Sequence, residues 1–117
     1  MNRTVRKDVM RRYKQMLKDV SGENYHKGEV NCYTCKQCGK VTKTIDVDNG
    51  VTPFGIECPH CHGDAMSAFY HDTAPDAPVT HEFYRPTLEE TLALVDEHFF
   101  TVSHILNGGL LRREKDA

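Results

Sequence analysis

The sequence predicts a small α+β fold: an amino-terminal amphipathic helix, a ribbon of three to four antiparallel strands, and a helical carboxy-terminal tail. Three observations predict it. Apolar residues recur at helical spacing through the first twenty positions, β-branched residues alternate with polar ones from Lys40 to Val47, and two Cys-x2-Cys pairs stand nineteen residues apart. A chain of 117 residues has room for one domain with one modest core. Leu, Ile, Val and Phe supply 25 of those residues, about 21%, close to the level at which a highly charged chain stays unfolded. Such a fold needs a staple, and the five cysteines and seven histidines show where it lies.

Val5, Val9, Tyr13, Met16, Leu17 and Val20 fall on one arc of a helix, with Arg3, Lys7, Arg11, Lys14 and Lys18 largely outside it, and Ser21-Gly22 ends the element. Residues 23 to 31, ENYHKGEVN, are polar and unpatterned and read as a linker. KVTKTIDV (40 to 47) reads as a strand, followed by Asp48-Asn49-Gly50 as the positive-φ turn of a hairpin. Residues 65 to 70 form a third strand, TAPDAPVT is a loop around Pro75 and Pro78, and residues 79 to 85 form a fourth strand that Pro86 closes. Thr87-Leu88-Glu89-Glu90 has the spacing of a capping box, opening a helix that carries Leu88, Leu92, Val95 and Phe99 inward. Thr101 to Asn107 gives a second short helix, with Gly108 as its left-handed cap, and LLRREKDA is a charged tail. The expected organisation is a basic helix and linker (1–28), a four-cysteine ribbon (29–72), and a strand with a helical tail packing on that ribbon (73–117), all in one domain.

Charge is unevenly distributed. Residues 1 to 20 carry seven Lys/Arg against Asp8 and Asp19, whereas residues 41 to 105 carry Lys43 and Arg85 against eleven acids. No apolar run reaches the ~18 residues of a membrane span, and the first fifteen residues are charged where a secretion signal needs an apolar stretch, so the expected location is cytoplasmic. In a reducing compartment, clustered Cys-x2-Cys pairs argue for a metal before disulfides.

Cys35, Cys38, Cys58 and Cys61 are the expected ligands of one zinc ion. A Cys-x2-Cys turn lets both sulfurs reach a metal at about 2.3 Å while the turn's amides bond to the sulfurs. Cys32-x2-Cys35 offers the same spacing, but Gly39 follows Cys38 and supplies the positive φ such a turn needs, which favours Cys35 with Cys38. Cys32 then reads as a small packed residue beside the site. His60 and His62 flank Cys61 and could replace a cysteine, although the thiolates already stand at ligand spacing. The remaining five histidines read as surface or packing residues. Cys58-Pro59-His60-Cys61-His62 also matches the attachment sequence of c-type haem, a reaction of compartments outside the cytoplasm.

Tyr33-Thr34-Cys35-Lys36-Gln37-Cys38-Gly39, Asp48-Asn49-Gly50-Val51-Thr52-Pro53 and Cys58-Pro59-His60-Cys61 resemble the knuckles and intervening turn of rubredoxin and the wider rubredoxin-like zinc ribbons. The resemblance covers residues 33 to 63 and implies that the four cysteines hold the metal. This chain departs from true rubredoxin in having no tryptophan, a short gap between the pairs, and His62 where a glycine would follow the fourth cysteine. Those departures favour structural zinc over an electron-carrying iron. The flanking segments HEFYRPTLEE and HILNGGLLRRE resemble parts of small bacterial or phage proteins.

Four cysteines close a zinc shell and leave no position for a reactive water. The sequence offers no HExxH, GxSxG, Walker or GxGxxG pattern, so no catalytic residue is expected and the chain reads as a binding module. Its partner is expected to be a protein or a nucleic acid, with Arg3, Lys7, Arg11, Lys14 and Lys18 as the candidate phosphate contacts. The competing reading of those cations is a solvated helix face, with the apolar arc docked on the ribbon.

Overall fold

The computed structural model describes residues 1–22 and 24–116. Helix α1 spans Arg3–Asp19, opened by the Asn2 side chain, which accepts the Val5 N–H at 2.9 Å. Its apolar arc buries Val9, Tyr13 and Met16, with Val20 at the cap. Leu17, at the edge of the arc, is exposed. The partner of this arc is not the ribbon. Val9, Tyr13, Met16 and Val20 pack with Leu92, Val102, Ile105 and Leu106 from helices α2 (Leu88–Ala93) and α3 (Phe99–Leu106). The buried Tyr13 hydroxyl donates to the Pro86 carbonyl at 2.7 Å, tying α1 to the entry of α2.

Among the described residues six strands form one sheet: β1 (Val30–Cys35), β2 (Val41–Asp46), β3 (Gly55–Glu57), β4 (Asp64–Ser67), β5 (His81–Tyr84) and β6 (Leu111–Glu114), in the order β3-β4-β1-β2-β5-β6. This exceeds the expected three to four strands, and the sheet is mixed, because β2 and β5 run parallel. Two strands escaped the pattern reading. β1 begins inside the supposed linker and is covered on both faces, so Asn31, Cys32 and Tyr33 are all buried and no alternation survives in the sequence. β6 is an outer strand made of Leu111, Arg112, Arg113 and Glu114, charges that an edge strand tolerates. Arg113 lies over the Tyr84 ring at 3.9 Å and pairs with Glu82 at 3.1 Å across the β5–β6 ladder.

The hairpin expected across Asp48-Asn49-Gly50 is absent. β2 pairs with the earlier strand β1, antiparallel from Val30↔Ile45 to Thr34↔Val41. Asp48 instead accepts the Arg85 N–H at 2.8 Å. Gly50 lies outside the left-handed region and is required for space: a Cβ there would come within 2.6 Å of the Gly108 carbonyl and of the Leu110 side chain. The turns that join strands are the two cysteine knuckles, Lys36–Lys40 between β1 and β2 and Cys58–Gly63 between β3 and β4.

The capping box is formed, with the Glu90 N–H donating to Thr87 Oγ1 at 3.1 Å and the Thr87 N–H to Glu90 Oε1 at 3.0 Å. The helix it opens stops at Ala93, and a bend over residues 94–98 separates it from α3. Phe99 therefore points to solvent, contrary to the expectation that it faced inward. Gly108, with φ +90°, is the left-handed residue after α3.

Arg112 Nη1 donates to the Glu57 carbonyl at 3.1 Å, linking the outer strand β6 to the opposite outer strand β3 and showing that the sheet curls. Inside the curl lies a second cluster of Tyr33, Cys35, Cys58, Ala65, Phe83 and Leu110, sharing no residue with the helical cluster. The single core expected from chain length is thus two small ones, and the cysteines belong to the sheet core. No helix among the described residues is long and apolar enough to cross a membrane.

Candidate metal centre

The structure brings Cys35, Cys38, Cys58 and Cys61 together, with all four Sγ atoms within 4.8 Å of one another. The Cys35–Cys61 and Cys38–Cys58 sulfurs are 3.4 and 3.7 Å apart. A disulfide needs about 2.05 Å, so these are separate thiols. A tetrahedron of ~2.3 Å metal–sulfur bonds has sulfur–sulfur edges of about 3.8 Å, so this spacing suits one metal ion at the centre.

Each knuckle is built by the same local rules. In the first, the N–H groups of Gln37 and Cys38 donate to Cys35 Sγ at 3.3 and 3.4 Å, and the Gly39 N–H bonds to the Cys35 carbonyl at 3.0 Å. In the second, the His60 N–H donates to Cys58 Sγ at 3.4 Å, the Gly63 N–H to Cys61 Sγ at 3.4 Å, and the His62 N–H to the Cys58 carbonyl at 2.9 Å. The residue after the second cysteine takes the left-handed conformation in both: Gly39 at φ +75° and His62 at φ +66°. The missing glycine in the sequence thus changes the residue and leaves the turn intact, at the conformational cost of a Cβ in that region. The knuckles meet because β1 and β4 pair, with Cys35 opposite Ala65 and the Lys36 N–H on the Asp64 carbonyl at 2.9 Å.

Electrostatics point the same way. The Cys38 N–H, with that of Gln37, holds the Cys35 thiol down at about 6. Cys61 accepts the Gly63 N–H, yet the sulfurs of Cys35, Cys38 and Cys58, together with burial, drive it up to about 12. Four thiols this close cannot all ionise without a cation among them. The donor set and its amide bonds therefore fit a bound metal.

Cys32 stands apart from the cluster. It is fully buried on the other face of β1, opposite Lys43 in the ladder, with its sulfur 3.7 Å from Asp72 Oδ1. Lys43, only 7% exposed, donates to Asp72 Oδ2 at 2.8 Å and to the Ala74 carbonyl at 3.2 Å. The Lys43 hydrogen bond holds the Asp72 carboxyl below its usual range. His60 and His62 are not among the clustered ligands, and His62 Nδ1 lies 2.9 Å from Glu57 Oε1.

Arg3, Lys7, Arg11, Lys14 and Lys18 are all exposed on α1, within about 80° of its circumference and pointing away from Val9, Tyr13 and Met16. Among them Arg11 pairs with Asp8. The cations and the cysteines thus sit on separate elements, α1 and the two knuckles.

One polar centre was not found by sequence reasoning. The apolar residues of β2, Val41 and Ile45, are only half-buried, while Thr42, Thr44 and Asp46 are buried and share the face of Asn31 and Tyr33. Asp46 is 1% exposed and accepts the Tyr70 hydroxyl at 2.7 Å, and Thr52 Oγ1 lies 2.9 Å from the same phenol. Its other oxygen, with the hydroxyls of Thr42 and Thr44, has no hydrogen-bond partner among the described residues. The His26 ring stacks on Tyr70 at 3.7 Å. Asn31 anchors the wall, accepting the Tyr70 and Cys32 amides and donating to Ser67. Strand alternation was the available signal, but it pointed the apolar set inward.

No protein-family model, curated protein or solved structure matches this chain.

Proposed function

We propose that the protein is a zinc ribbon whose metal holds the sheet together so that the chain can present a binding surface to a protein or nucleic acid. The convergence of four thiols from two matching knuckles carries this reading. Bound there, a zinc ion would supply a closed tetrahedral crosslink between the knuckles. Cys35 and Cys38 fix the β1–β2 turn, Cys58 and Cys61 fix the β3–β4 turn, and the amides of Gln37, Cys38, His60 and Gly63 spread the thiolate charge. With every tetrahedral position taken by sulfur, the proposal assigns the centre no catalysis.

The second reading is a rubredoxin-like iron electron carrier, favoured by the exposed position of Cys38, which brings one edge of the thiol cluster close to the surface. Metal analysis of the purified protein, prepared without added metal and paired with its absorption spectrum, separates the two. The zinc reading expects one zinc per chain and a colourless protein. Visible bands in the oxidised form and one iron per chain would overturn it.

The surface we assign to the partner is the outer face of α1. Its five cations span about 22 Å of helix at 1.5 Å per residue, a length suited to several phosphates along a nucleic-acid backbone. Most of the apolar side of the same helix, Val9, Tyr13, Met16 and Val20, is already used in the core, which leaves only Val5 and Leu17 to insert into a lipid surface. Affinity for a duplex or single strand should fall steeply with salt, and replacing Lys7, Arg11, Lys14 and Lys18 by glutamine should remove it. Binding that survives both changes places the contact elsewhere.

A further inference from the structure

A groove of ≈ 870 Å³ runs between α1 and the α2–α3 bend, lined chiefly by Val5, Val9, Val95, Phe99, Val102 and Leu106. Phe99 in that lining is 68% exposed, and Phe100, 89% exposed, stands against it outside the groove, with ring centroids 6.2 Å apart and packed edge to face. The two rings offer roughly 300 Å² of aromatic surface per copy, a sizeable part of the ~800 Å² per partner buried in an ordinary stable interface. Three charged side chains also line the groove: Arg12 of one sign, Asp8 and Asp96 of the other.

We propose that a second copy of this chain occupies the groove, forming a two-fold dimer in which Phe100 of each copy seats in the groove of the other and Arg12 meets Asp96 across the axis. A two-fold interface requires one surface to carry both halves of every contact. This face does so, because an aromatic projection and an apolar recess are adjacent, and cationic and anionic side chains line the same recess. Among the described residues Asp96 holds only the Met1 amino group, at 3.2 Å, and Asp8 is paired with Arg11. The arrangement also leaves the proposed phosphate contacts free. Val5 and Val9 face the groove, while Lys7, Arg11, Lys14 and Lys18 lie roughly 150° round the helix. A dimer of this kind would carry two cationic stripes on one particle.

Sedimentation equilibrium of the full, metal-loaded chain over a concentration series tests the proposal. The wild type should dimerise with a Kd in the micromolar range. Phe100→Ser, at a position too exposed to affect folding, should raise Kd by about tenfold or more. Arg12→Asp should weaken the dimer, and Arg12→Asp with Asp96→Arg should restore it. A wild type that stays monomeric at roughly 100 µM overturns the proposal and leaves the groove to a different apolar partner. A dimer indifferent to both Phe100→Ser and Arg12→Asp overturns it equally, by placing the interface elsewhere. Neither result bears on the metal reading, which the metal analysis judges separately.

Discussion

Replacing Cys35 or Cys61 by serine is expected to abolish metal binding and unfold the sheet around residues 33 to 72. Metal binding in small zinc modules is worth on the order of 10 kcal/mol, comparable to the whole stability of an ordinary domain. The sheet core has little to set against that loss. It contains six buried residues, two of which are the ligands Cys35 and Cys58. Losing either ligand also leaves the remaining thiols, including Cys38 and Cys58 at 3.7 Å, crowded without a cation. Damage should be concentrated in the sheet, since α1, α2 and α3 pack through a separate cluster. Cys32→Ser is the matched control: its sulfur touches Asp72 and not the cluster, so that variant should keep its metal and its sheet. Amide hydrogen exchange and metal content read both outcomes. Equal metal loss in the Cys32 and Cys38 variants would mean that the ligand set is misassigned.

Asp46→Asn is expected to stabilise the protein at neutral pH. Burial pushes the Asp46 carboxyl up to about 6, against the Tyr70 hydroxyl and nearby His26, which favour its charge, while Glu29 disfavours it. The folded chain then holds this proton more tightly than the unfolded chain, so between about pH 4 and 6 stability falls as pH rises. Above that window the penalty is complete, on the order of 2–3 kcal/mol for a shift of about two units. Asparagine removes the buried charge and keeps an acceptor for Tyr70. The variant should gain stability at pH 7, gain little at pH 4, and show a flatter profile between them. Urea denaturation at several pH values measures this, and a variant less stable than the wild type at pH 7 would show that the ionised carboxylate is satisfied in the fold.

The local rules of the sequence were legible wherever one residue type enforces one geometry. Thr87 and Glu90 specified a helix start, Gly108 a helix stop, and the Cys-x2-Cys spacing a pair of turns that aim their thiols at one point, because each depends on neighbours within a few positions. What stayed hidden depends on residues far apart. β1 carries no alternation because β2 and β4 flank it and both its faces are covered. The pairing of β2 with β5, which is parallel, depends on a partner nearly forty residues away. Asp48-Asn49-Gly50 has the composition of a hairpin turn, yet Asp48 accepts the Arg85 N–H and Gly50 makes room for Gly108 and Leu110. The sequence therefore picked out the four cysteines that cluster, but not the route that gathers them. Pairing of β1 with β4 brings the knuckles together, and no hairpin between them is involved. The groove beside Phe99 was missed for a related reason, since helical periodicity continued that residue into the core and the bend after Ala93 turns it out.

Zinc titration of the metal-free chain, followed by the amide NMR spectrum, reads whether the metal holds the sheet together. Metal-free protein should lack the dispersed resonances of β1 to β4, and these should appear together and be complete at one equivalent of zinc. A metal-free chain that already shows the full native sheet spectrum, unchanged by zinc, would show that the metal does not hold the sheet together.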